Sequence, residues 1–177
     1  KSPHEISDDI LRLTENSSNI SLCFVVQRPQ LTDSNFFDLY SRVLQNYGRK
    51  ANDDENSSGS KNAIRWITTI DKKDEIPLIR ILLGLGMQIR HVKNLSLMNF
   101  AVSDKMLNAT IEKLEGGKMV QSLLTSNEPI YIKHFSSLFE ELWHNGIDAD
   151  DRIRDIEEGI DPADIEIIRN PREGIKR

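Results

Sequence analysis

His91 and Lys93, two residues apart, are the pair in this chain best suited to reactive chemistry. An imidazole can attack phosphorus and an ammonium can hold the phosphate, provided that an acid stands ready for the leaving group. In an H-x-K-x-x-x-x-D arrangement that acid lies five residues beyond the lysine, and here the position is Met98. The converse holds at Asp104: counted back from its carboxylate, the histidine position is Leu97 and the lysine position Asn99. Each half-motif lacks what the other has, so neither makes a catalyst. His4, His134 and His144 show no H-E-x-x-H spacing, and Cys23 is the sole cysteine, so no disulfide, metal set or cofactor is expected.

These side chains need a scaffold, and the apolar pattern supplies one. Ile20 to Val26 and Ala63 to Ile70 are near-continuous apolar runs, as strands buried on both faces require. Met87 to Val92 is a third strand. Between the first two, Phe36, Phe37, Tyr40, Val43, Leu44 and Tyr47 fall on one helical face. Between the second and third, Ile76, Ile79, Leu82, Leu83 and Leu85 do the same, with Pro77 in the first turn. Residues 5–16 form a short amphipathic helix, and 52–60 a polar, acidic loop. Strand, helix, strand, helix, strand implies parallel strands with right-handed crossovers. Leu97 to Ser103 and Leu107 to Glu112 then read as a hairpin; Met119 to Leu124 fits a strand or a short helix. Asn127 and Pro129 open a helix whose core face is Phe135, Leu138, Phe139, Leu142 and Trp143, and Gly146 ends it. Asp148 caps a last, mostly solvated helix that Gly159 stops. The expected fold is α/β, a mixed, largely parallel sheet flanked by helices. A domain over 1–146 is followed by a helical linker over 147–177.

In open α/β sheets, ligands gather beyond the carboxyl ends of the parallel strands. Those ends carry Arg28, Thr68, Thr69 and His91, with Asn99 and Ser103 on the strand of the broken motif. Cation, hydroxyls and amide together suit a small polar or anionic effector. Each also has a plainer reading: Arg28 as partner of an acid, the threonines as good strand residues, Asn99 as a buried hydrogen-bonded amide. The net charge of −5 argues against a broad nucleic-acid face, so no nucleic-acid partner is expected. No apolar run approaches the roughly 20 residues that span a bilayer, which points to a cytoplasmic segment. The first residue is Lys1, not Met, as in a piece of a longer protein.

A family resemblance follows from four motifs in order: Ile20-Ser-Leu-Cys-Phe with Arg28-Pro29, Ile64-Arg-Trp-Ile-Thr-Thr-Ile70, Asn99-Phe with Ser103-Asp104, and Ser137-Leu-Phe with Leu142-Trp143, continuing to Glu157-Glu-Gly159. Across residues 10–160 the chain resembles the cytoplasmic sensor domain of archaeal histidine kinases. That domain is similar to the effector half of archaeal sugar-responsive transcriptional regulators, and both resemble the phospholipase D fold. The resemblance implies a catalytically degenerate phospholipase D-like domain, with Leu97 and Asn99 where the catalysts would stand. It implies a non-catalytic sensory domain in two-component signal transduction, binding a small effector or a protein, with kinase or PAS modules downstream in the same chain. No kinase core lies in this sequence. Pairing of two copies is a further expectation. The alternatives are an effector-binding domain of a transcriptional regulator and a divergent phosphodiesterase built on His91 and Lys93.

Overall fold

The structure, a computed structural model, describes residues 17, 19–25, 63–95, 99–116 and 118–160, with backbone alone at 63, 111–115, 118–121 and 123. The expected helices over 5–16 and 36–47, the loop over 52–60, Arg28, Leu97 and the tail from 161 lie outside the described residues. Strands β1 (Asn19–Cys23), β2 (Ala63–Thr68) and β3 (Gln88–His91) are parallel neighbours. Helix α1 (Ile76–Gly84) carries the chain from β2 to β3. Pro77 sits in its first turn, where the missing N–H has no helical partner to lose.

Strand β4 (Asn99–Ser103) lies antiparallel beside β1, and β5 (Leu107–Glu115) beside β4. The segment that periodicity left between strand and helix is a strand, β6 (Lys118–Ser126), matched to β5 from Leu107↔Ser126 to Glu115↔Lys118. Gly116, at φ 56°, supplies the left-handed turn that a tight hairpin needs. Helix α2 (Pro129–Asn145) follows. A two-residue strand, β7 (Ile147–Asp148), then pairs antiparallel with β3 and leads into α3 (Ala149–Glu158). The order is β6-β5-β4-β1-β2-β3-β7. The sheet is mixed, as expected, but among the described strands it is not largely parallel: parallel pairing joins β1, β2 and β3, and the other described neighbours are antiparallel.

Side-chain alternation splits the core into two layers. On one face Ile20, Leu22, Ile64, Trp66 and Ile89 meet α1 and α3. On the other, Cys23, Ile67, Phe100, Val102, Leu107 and Ala109 meet Phe135 and Phe139 of α2. Leu78 of α1 is buried, whereas Leu85, expected on the same stripe, is 41% exposed because it falls beyond the last helical residue. Helix α3 is less solvated than its composition suggests. Ala149 and Ile153 join the first layer, and Arg152 is 3% exposed. Asp148 stands at the N-cap position of α3 but gives its carboxylate to Arg90 Nε at 3.2 Å, so it makes no side-chain cap.

Two arginines of the sheet hold α2 in place. The Arg65 guanidinium lies 4.9 Å over the Phe139 ring and 5.4 Å from that of Trp143, and it pairs with Glu140. Arg90 lies 4.8 Å over Trp143 and donates to its carbonyl at 2.7 Å. Gly146 leaves room for this: a Cβ there would stand 3.1 Å from that of Arg90.

Candidate functional site

The site is built from the carboxyl ends of β2 and β3. Thr68 and His91 are direct neighbours there. Both continue the face of Trp66 and Ile89, so both look toward α1 and α3. The ends are locked by the backbone of Ile70, just past β2. Its N–H donates to His91 Nδ1 at 2.9 Å, and its carbonyl accepts from Arg152 Nε at 2.9 Å. Arg152 also reaches Asp71 Oδ1 with Nη2 at 3.4 Å. Thr69 Oγ1 donates to the Val92 carbonyl at 2.8 Å, and the Val92 N–H donates to the Thr68 carbonyl at 2.9 Å. Asn94, at φ 56°, turns the chain away after β3.

Burial sets the chemistry of His91. At 5% exposure the imidazolium loses its hydration, and the Arg152 guanidinium and Lys93 disfavour it further, against the weaker pull of Asp71; the pKa falls to about 4. The ring is therefore neutral at pH 7. Because Nδ1 accepts the Ile70 proton, the ring's own hydrogen sits on Nε2. A protonated Nε2 has no lone pair with which to attack phosphorus. Cys23 is as inert: burial pushes its thiol up to about 12.

The residues expected to bind are brought together only in part. Thr68, Thr69 and His91 share one end of the sheet. Asn99 stands at that same end, since Cys23 pairs with both Phe100 and Ile67. It is two strands away from Thr68, about 10 Å. Ser103 does not belong. It pairs with Ile20 at the opposite end of β4, and its hydroxyl accepts from Lys105 N–H and Met106 N–H at 3.2 Å each, closing the β4–β5 turn. Arg28 lies outside the described residues. Arg152 went unnoticed in the sequence because it sits in a helix read as solvated; its one signal was position, one residue before Ile153 on the buried side.

The Thr68 hydroxyl is 1% exposed and meets no hydrogen-bond partner among the described residues. Such a group costs about 1–3 kcal/mol. A separate open groove of about 480 Å³ lies at the other end of β3, between Met87, Gln88, Trp143 and the first turn of α3. Among the described residues, no three of His, Cys, Asp and Glu gather as metal ligands do. None of the described helices is long and apolar enough to cross a membrane.

No protein-family model matches the chain, and no curated protein does. Among solved structures it is similar to TrmBL2, an archaeal chromatin protein whose structure shows a novel mode of DNA binding. The two are 12% identical and superpose with a TM-score of 0.54; the match covers 81% of this chain and 50% of that one. The likeness is one of fold, and this chain spans about half the length of that protein. It overturns the expectation of no nucleic-acid partner. The net charge of one segment describes that segment alone, and the fold occurs in a protein whose structure shows a mode of DNA binding and half of whose chain the match leaves uncovered.

Proposed function

We propose that this chain is the non-catalytic, effector-binding domain of an archaeal DNA-associated regulator that works in the cytoplasm. The observation that supports it is the fold shared with TrmBL2 over 81% of the chain. This favours the transcriptional alternative over the histidine-kinase sensor, which has no comparable support. A phospholipase D-like ancestry with its catalysts lost is consistent with a neutral, Nδ1-committed His91. The effector would sit at the carboxyl ends of β2 and β3.

The charges support a division of labour. All five arginines of the described residues pair with acids: Arg65 with Glu140, Arg80 with Glu157, Arg90 with Asp148, Arg152 with Asp71 and Arg154 with Asp151. Phosphate contacts would then come from lysines or from elsewhere in the protein. The test is duplex-DNA binding by the whole gene product, followed by fluorescence anisotropy. A regulator making several phosphate contacts loses on the order of a thousandfold in affinity between about 50 and 200 mM salt. No DNA binding, together with ATP-dependent autophosphorylation, would return the case to the kinase sensor.

A further inference from the structure

Four polar groups converge where β2 and β3 end. Thr68 carries a buried hydroxyl with no partner among the described residues. His91, its neighbour across the strands, has Nδ1 committed to Ile70 and so presents Nε2 as a donor. Arg152, 3% exposed, spends Nε on the Ile70 carbonyl and one contact on Asp71. A guanidinium has five N–H donors, so this leaves it further capacity. Asp71 is the least buried of the set, its side chain 54% exposed.

The chemistry of this cluster is lopsided. Hydroxyl, imidazole N–H and guanidinium all donate. The one carboxylate stands at the exposed rim, with a single 3.4 Å contact to Arg152, and the positive field of Arg152 and Lys93 outweighs it at His91. A neutral polyol would need acceptors for its own hydroxyl protons, and this cluster offers few. An oxygen anion needs only donors and a positive field. We propose that the carboxyl ends of β2 and β3 bind a small oxyanion, a carboxylate or phosphate group, anchored by Arg152 and the Thr68 hydroxyl. The proposal rests on the effector-domain reading and names the class of effector.

Thermal unfolding of the full chain tests it, in sodium phosphate, sodium acetate, sodium chloride of matched ionic strength, and chloride plus a neutral monosaccharide. Phosphate or acetate raises the midpoint above chloride, and because phosphate also stabilises by exclusion from the surface, the part of the rise that Thr68→Val abolishes identifies the group. Thr68→Val removes an unpartnered hydroxyl at constant shape, so without ligand it unfolds no lower than the parent, yet the anion-induced rise disappears. Arg152→Lys keeps the charge and weakens the rise. The proposal is overturned if no anion raises the midpoint, or if Thr68→Val keeps the full rise. A rise with the monosaccharide alone, lost in Thr68→Val, overturns the oxyanion and leaves the effector-domain reading standing. Failure of that reading shows instead in the DNA-binding measurement on the whole gene product.

Discussion

A buried histidine that stays neutral ties stability to pH in a definite direction. His91 titrates at about 4 in the folded chain, against 6.5 for an unperturbed imidazole. Between those values the unfolded chain holds the extra proton, so stability rises with pH. The contribution is complete above pH 6.5, is lost as pH falls toward 4, and is absent below. The gap amounts to on the order of 3 kcal/mol. Urea unfolding across this window should show the loss, and His91→Asn should flatten it, since an amide oxygen can still accept from Ile70 N–H without titrating. An equal slope in both proteins would assign the acid sensitivity to other groups. The cause is geometric as well as electrostatic, because a protonated Nδ1 would face the Ile70 N–H donor to donor.

Helices and strands are held by a few side chains that reach across layers. Arg152 joins α3 to the end of β2, and its loss strands the Ile70 carbonyl. Arg152→Met should cost about 2–3 kcal/mol. Asp71→Asn should cost under about 1 kcal/mol, because that carboxylate is half exposed. Chemical denaturation of both separates a role in backbone satisfaction from a simple ion pair. Gly146→Ala places a methyl 3.1 Å from Arg90 Cβ and 3.3 Å from the Leu142 carbonyl. It should destabilise by about 1–2 kcal/mol, with quenching contacts around Trp143 changed in fluorescence.

Legibility in the sequence followed the same lines. The apolar runs 20–26 and 63–70 marked β1 and β2, because strands buried on both faces leave little room for polar residues. The stripe from Phe135 to Trp143 marked α2, because one helical face is enough to seat it. β6 was ambiguous, since short segments of mixed character fit either period. β7 was invisible: two residues carry no periodicity, and only the approach of Gly146 to Arg90 makes the pairing. Of the candidate site, the shared position of Thr68 and His91 was legible because both fall at the ends of apolar runs. Ser103 was wrongly grouped because reversing β4 sends one end of it away from the others. Arg152 was missed because composition cannot tell a charged residue on the buried face from one in water.

At the scale of the whole molecule, two of the three parallel strands, β2 and β3, carry the candidate site, and antiparallel strands extend the sheet on both sides. The first core layer includes Ala149 and Ile153, which come from beyond residue 146. Removing residues 147–177 should therefore expose that layer and lower the unfolding midpoint by several degrees, on the order of 2–4 °C per kcal/mol lost in a domain of this size. Calorimetry of the shortened chain checks this, and an unchanged midpoint would make the segment a mere tether.

The β5–β6 hairpin is longer than the support beneath it. Among the described residues, β4 pairs with Leu107 to Thr110, and the rungs from Ile111↔Ser122 to Glu115↔Lys118 have no further strand beside them. A two-stranded ribbon is marginal by itself. Amide hydrogens should accordingly trade with deuterium fast at the far rungs and slowly at the near ones, with the break at Thr110. If the whole hairpin is slow instead, something other than a strand is holding its outer half.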